Sequence, residues 1–185
     1  MRPVEGARAG IIALVTGPPG AGKTTVVRAA CELIVRRTHE RTVHLEFDDF
    51  SFGVTDPDGD LEHKLQTGLQ MAAAASRAGA ASSGWLVLEG FFSPRHWLDY
   101  LRSELPVAAT FGLSAPENTC RARNEGRPDD DRLSPAVFDS IYGRLDTRPG
   151  DDSPDIRWLD TTLPVETVAE QLATELIQLA AVRTV

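Results

Sequence analysis

The sequence predicts an α/β fold in which a parallel sheet carries helices on both faces, and three observations support it. Short apolar runs alternate with helical stretches along the chain, the rhythm of parallel strands joined by crossover helices. A glycine-rich turn, Gly17-Pro18-Pro19-Gly20-Ala21-Gly22-Lys23-Thr24, joins the first apolar run to the first helix. Two later runs end in acidic residues, at Asp48-Asp49 and at Glu89. Such residues lie at the carboxyl edge of an open parallel sheet, where ligands bind.

Taken in order, residues 1–9 read as a loose polar lead-in. Gly10 to Thr16 is the first strand, and the helix after the glycine-rich turn runs to about Thr38. Thr42 to Phe47 reads as the second strand. Phe50 to Asp60 contains Gly53, Pro57 and Gly59 and is expected to be a loop. Leu61 to Ala81 is a helix closed by Ser82-Ser83-Gly84. Trp85 to Leu88 is fully apolar, as a strand buried on both faces must be. Ser93-Pro94 opens a helix to about Leu105. Val107 to Leu113 is the fourth strand and Pro116 to Gly126 an arginine-bearing helix. Arg127 to Gly150 is polar and broken, with a short helix at Pro135 to Leu145. Ile156 to Asp160 is the fifth strand. The last helix runs from Pro164-Val165 to about Val182, with Val168, Leu172, Leu176 and Leu179 at helical spacing. No repeat or linker divides the chain, so residues 1–185 form a single domain.

Composition narrows the function. The 185 residues are 42% hydrophobic and 25% charged, with a net charge of −8. That balance disfavours nucleic acid bound over a broad surface, which needs a basic face. It still permits a small basic pocket for a polyphosphate. No apolar stretch approaches a membrane span, and no signal peptide is expected. Cys31 and Cys120 form no metal pattern and read as ordinary thiols of a cytoplasmic protein.

The glycine-rich turn matches G-x-x-x-x-G-K-[S/T] in the strand–loop–helix context that this pattern requires. Gly17, Pro18, Pro19, Gly20, Ala21, Gly22 and Thr25 supply backbone around phosphate oxygens, and the helix N-terminus adds its positive dipole end. Lys23 is expected at the β- and γ-phosphates, and the Thr24 hydroxyl at Mg²⁺. Lys23 is one of two lysines; the remaining 17 of the 19 basic residues are arginine. A compact point charge therefore stands where phosphate would be met.

Asp48 and Asp49, just past the second strand, are candidates to take the proton of an attacking hydroxyl. Sequence leaves the choice open, with Asp48 favoured. Glu89 is placed to serve Mg²⁺ or to orient the nucleophile, and Asp48 is expected beside the metal together with Thr24 and Glu89. Gly90 follows where the backbone is expected to pass close to phosphate or substrate. Arg121, Arg123 and Arg127 are expected on a flap over the triphosphate, with Arg144 and Arg148 assisting. Thr161 and Thr162 end the fifth strand, either beside the nucleotide base or as a helix cap. Phe50, Phe52, Phe91, Phe92 and Trp97 either wall a substrate pocket or fill the core.

These residues resemble a known group. The chain is similar, from Gly10 to about Leu179, to P-loop kinases of the nucleoside-monophosphate-kinase type. Phe47-Asp48-Asp49-Phe50 is similar to the Asp-x-Phe step of uridine-kinase-like enzymes, and Leu88-Glu89-Gly90-Phe91 to their Glu-Gly step. In that family the first Asp is the base, which maps to Asp48. Phe111 to Glu117, followed by Arg121 and the Arg123-Asn124-Glu125-Gly126-Arg127 run, resembles the strand-four-and-lid segment. It is especially close to kinases of seryl-tRNA for selenocysteine, and chloramphenicol-phosphotransferase-like enzymes share the plan. The resemblance implies a three-layer P-loop NTPase fold with a five-stranded parallel sheet, a lid at about 121–150, ATP and Mg²⁺. The expected activity is phosphoryl transfer to a hydroxyl of a small molecule such as a metabolite, nucleoside or antibiotic. A C-terminal domain like that of the tRNA-directed relatives is not expected, and the sequence has no Asn-Lys-x-Asp guanine signature. Two other readings remain at this stage: an aminoacyl-tRNA kinase or tRNA-processing ATPase, and a nucleotide-dependent regulatory module. The acceptor and the oligomeric state stay open.

Overall fold

A computed structural model describes residues 10–51, 61–145 and 154–182. The expectations for residues 1–9, for 52–60 of the expected loop, and for 146–150 with Arg148 lie outside the described residues. Along the described chain run β1 (Ile11–Thr16), α1 (Lys23–Thr38), β2 (Thr42–Glu46), α2 (Phe47–Ser51), α3 (Leu61–Ala80), β3 (Trp85–Gly90) and α4 (Arg95–Glu104). There follow β4 (Val107–Ser114), α5 (Glu117–Glu125), a 3₁₀ turn (Asp129–Asp131), α6 (Pro135–Tyr142), β5 (Ile156–Asp160) and α7 (Val165–Val182).

The five strands form one parallel sheet in the order β2-β3-β1-β4-β5. Their side chains alternate between two separate cores, as the two-residue period of a strand requires. Ala13, Val15, Val87, Phe111 and Leu113 face α1 and α7, meeting Val27, Ile34, Leu172 and Leu176. Ile12, Leu14, Leu86 and Leu88 face α3 and α4, meeting Leu69, Ala72, Leu98 and Leu101. Every residue of β1 and β3 is buried. Among the described residues no helix is long and apolar enough to cross a membrane.

The main difference from the sequence reading falls after β2. The strand stops at Glu46, and Phe47 to Ser51 turns into a short helix in place of a strand end and loop. Phe47 is buried against Phe92, with ring centroids 5.6 Å apart. That contact draws the chain off the strand direction toward α3. Asp48 and Asp49 then occupy the first turn of α2, where the exposed N–H groups favour carboxylates.

Candidate functional site

β1 delivers the glycine-rich turn to the carboxyl edge of the sheet. Gly20 and Gly22 have φ of 79° and 86°, values that L side chains rarely adopt. At Gly20 a Cβ would also run into the Cys120 carbonyl at the start of α5. Gly22 stands just before α1 with no side-chain cap, and the first turn of α1 carries no acidic residue. The first N–H groups of α1 are thus left for an anion. Within the loop, the Ala21 amide donates to the Pro18 carbonyl at 3.1 Å, and Lys23 Nζ donates to the same carbonyl at 3.3 Å. Thr24 follows in the first turn of α1, partly buried, and Thr25 is exposed.

Across from the loop stand the carboxylates. Burial lowers the pKa of Lys23, while the charges of Glu89 and Asp48 oppose that effect and Arg127 adds to it. Those interactions couple the charge of Lys23 to both candidate carboxylates and to one of the candidate arginines. Asp48 shows the converse. Much of the residue faces solvent, yet the protein around its carboxyl removes enough water to raise its pKa. Lys23 opposes this shift; Glu89, Glu46 and Asp49 reinforce it. A carboxylate held above its ordinary value next to a lysine is well suited to accept a proton. Asp49 is also exposed, further along the turn.

Glu89 is only 2% exposed. Its Oε1 lies 3.1 Å from His44 Nε2, and its Oε2 is buried without a hydrogen-bond partner. Beside it, Glu46 Oε1 accepts from Arg28 Nη2 at 2.7 Å. His44, Glu46 and Glu89 bring one ligand-type atom each to within 4.8 Å of one another. A buried carboxylate oxygen with no protein donor fits a cation or a cation-bound water. The residues present therefore fit Mg²⁺, a hard ion that takes oxygen ligands and keeps several waters.

The arginines and threonines expected around the nucleotide separate. Arg123 Nη2 donates to the Thr161 carbonyl at 2.6 Å, and its Nη1 approaches the Gly20 carbonyl at 3.4 Å. Arg123, Arg127 and Thr161 line a cavity of about 260 Å³ with Gly20, Ala21, Gly22, Thr25 and Leu163. Arg121 points elsewhere: its Nη2 donates to Glu117 at 2.8 Å and to Asp139 at 2.7 Å, and its guanidinium lies over the Phe138 ring. Thr162 turns away as well, its amide and hydroxyl both bonded to Asp160 Oδ1. Of the Thr161-Thr162 pair, one lines the cavity and the other belongs to the turn before α7.

A Cβ at Gly90 would meet Phe47 Cβ at 2.6 Å and the Phe92 ring at 2.9 Å, so the packing of these two residues itself needs the glycine. Phe92 and Trp97 are core residues, while Phe50 and Phe91 are partly exposed.

Sequence reasoning missed three contacts: His44 on Glu89, Arg28 on Glu46, and the Tyr142 hydroxyl donating to the Pro19 carbonyl at 3.4 Å. His44 and Glu46 are two apart on a strand, so they share a face. What places them beside Glu89 is the register of β2 on β3, with Glu46 opposite Glu89, which no single-chain pattern reveals.

The sheet order, the loop after β1 and the flanking helices define a three-layer P-loop fold. No family model matches the chain, and no curated protein matches it significantly. Solved structures do. A gluconokinase from Sinorhizobium meliloti 1021 superposes with a TM-score of 0.65 at 20% identity, covering 94% of each chain. A sugar kinase from Janibacter sp. HTCC2649 gives 0.63 at 22% identity, covering 89% of this chain and 93% of that one. At such identities the likeness is one of fold.

Proposed function

We propose that the protein is an ATP- and Mg²⁺-dependent phosphotransferase that phosphorylates a hydroxyl of a small molecule. One observation carries the reading: Lys23 Nζ sits on the Pro18 carbonyl of the phosphate loop while its charge interacts with two carboxylates, Asp48 and Glu89. The loop amides and Lys23 hold the β- and γ-phosphates. The cavity behind the loop, walled by Arg123, Thr161 and Leu163, takes the base. Asp48 receives the acceptor's proton as its oxygen bonds to the γ-phosphorus and the bond to the ADP oxygen breaks. Thr24 and Glu89 hold Mg²⁺, which when bound neutralises phosphate charge. Arg127, electrostatically linked to Lys23, adds positive charge over the transferring group.

The names of the two structural neighbours put sugars and sugar acids first among acceptors to test. A thermal-shift and ATP-turnover screen with Mg-ATP against sugars, sugar acids, nucleosides and antibiotics tests the proposal. A compound that both stabilises the protein and stimulates ADP release, with that stimulation lost in Asp48→Asn, is the expected result. Stabilisation by Mg-ATP with no stimulation by any acceptor overturns it.

A further inference from the structure

We propose that His44 is a positioning residue for Glu89, fixing one carboxylate oxygen so that the other is presented to the metal. This rests on the reading of Glu89 as the carboxylate that serves Mg²⁺.

Glu46 stands opposite Glu89 and His44 opposite Val87. Val87 belongs to the core on the α1 side of the sheet. With a two-residue period, His44, Glu46 and Glu89 all project toward α1, the helix that carries Lys23, Thr24 and Arg28. Two negative side chains are thereby forced side by side against that helix. Each has its own partner: Arg28 holds Glu46 at 2.7 Å, and His44 meets Glu89 at 3.1 Å.

The two partners differ in what they leave open. Glu46 is 30% exposed at its side chain and can turn to water. The Glu89 side chain is 3% exposed and that of His44 15%, so neither can readily exchange the other for solvent. With Glu89 ionised, as a metal-serving carboxylate must be, it only accepts, and the His44 tautomer with its hydrogen on Nε2 is the one that donates to Oε1. The second oxygen, Oε2, is buried and has no hydrogen-bond partner. Most buried polar atoms are hydrogen-bonded, so an unpartnered carboxylate oxygen beside an oriented one has its accepting capacity free for a ligand. Here one oxygen is spent on orientation and one is held in reserve.

The chemistry of the ion selects between two roles for His44. Imidazole suits zinc, copper, iron and nickel, whereas Mg²⁺ takes oxygen. In a Mg²⁺-dependent site His44 therefore acts through Glu89 and does not itself ligate. Partners that orient a metal-binding side chain typically cost 10- to 100-fold in metal affinity when removed.

The test measures binding and needs no acceptor. The affinity of the protein for a non-hydrolysable ATP analogue is measured by calorimetry with excess Mg²⁺ and again with EDTA, and the ratio is the metal coupling. His44→Ala and His44→Asn, which cannot reach Oε1, should lower that ratio at least about tenfold while leaving the EDTA affinity unchanged. His44→Gln, whose amide nitrogen reaches about as far as Nε2, should keep most of it. The unchanged EDTA affinity also reports a folded phosphate loop, and should His44→Ala not fold, the Asn and Gln variants alone decide. A lower Tm with unaltered coupling in all three variants overturns the proposal, because His44 then only pins β2 to β3. Loss in His44→Gln as deep as in His44→Ala also overturns it, since a donor at the right place would not have sufficed. A wild-type protein whose nucleotide affinity ignores Mg²⁺ overturns the metal reading of Glu89 and this role with it. Phosphoryl transfer with normal metal coupling in every variant overturns the role of His44 alone.

Discussion

Arg123 donates from Nη2 to the main-chain carbonyl of Thr161 at 2.6 Å, tying α5 to the turn that follows β5. The same guanidinium reaches the Gly20 carbonyl, so three segments far apart in sequence meet on one side chain. Arg127, two residues past the end of α5, lines the same cavity and bears on the charge of Lys23. The two arginines should therefore fail differently. Arg123→Ala removes a wall of the cavity proposed to take the base and should raise KM for ATP about tenfold with little change in kcat, the effect of one charge-assisted hydrogen bond of roughly 1.5 kcal/mol. Arg127→Ala should lower kcat on the order of a hundredfold. Steady-state kinetics on both variants decide. The reverse pattern would make Arg123 the arginine that covers the transferring phosphate.

Asp48 carries a cost that its removal should reveal. Its pKa in the folded protein is raised, chiefly by desolvation, above the ordinary value of 3.8. As pH rises, the unfolded chain releases this proton first, so the native state is progressively disfavoured between the two pKa values and remains so above them. Asp48→Asn should thus raise Tm of the nucleotide-free protein at pH 7 and lose that advantage near pH 3, below both values. The same substitution should cut kcat by about 10²–10⁴-fold, the usual worth of a general base. Turnover by the parent protein should climb with pH through a midpoint above the ordinary Asp range. Calorimetric melts at the two pH values, together with a pH–rate profile, check both. A variant that melts at the parent temperature at pH 7 would show that the carboxyl carries no penalty.

How far the chain could be read follows from which interactions are local. The strand β5 and the helix α7 stand where periodicity puts them, at Ile156–Asp160 and Val165–Val182, because amphipathic and apolar patterns are properties of contiguous residues. The phosphate loop is legible for the same reason, its glycines serving backbone conformations set within eight residues. The short helix α2 is not. It arises because Phe47 buries itself on Phe92, 45 positions away in sequence. Arg121, Arg123 and Arg127 look alike as a string, and only the packing of α5 on Gly20 sends one toward Thr161 and another toward Asp139. His44 was invisible for the strongest reason: its partner is chosen by strand register.

The β4–β5 pairing offers a stability test away from the site. Gly112 stands opposite Trp158, and the indole ring lies over its α-carbon so closely that any Cβ would collide with it. Gly112→Ala keeps the strand conformation available to any residue, so its cost is overpacking alone, about 1–3 kcal/mol. In a chain of this length that corresponds to a fall in Tm of roughly 2–12 °C. Adding Trp158→Leu should recover part of the loss by making room for the methyl group. Differential scanning calorimetry on the single and double variants measures the coupling. Additive effects would mean that the ring yields freely.

Cys31 reports on the packing beneath the candidate metal site. Burial of this α1 residue comes first, and the negative charges of Glu89 and Glu32 add to it, pushing the thiol up to about 12. At pH 8 the thiolate, the form that reacts, is then on the order of one part in 10⁴. Cys120 is fully buried, and neither cysteine is in a disulfide. Ellman's reagent should therefore modify the native protein orders of magnitude more slowly than a free thiol, and should titrate two thiols at once in denaturant. Because Glu89 contributes to the shift, Glu89→Gln should speed labelling of Cys31 in a Cys120→Ala background without unfolding the protein, and circular dichroism checks the last condition. Rapid labelling of the native parent protein would mean that α1 lifts from the sheet on the timescale of the reaction. Labelling unaffected by Glu89→Gln would place the buried charge too far from Cys31 to matter.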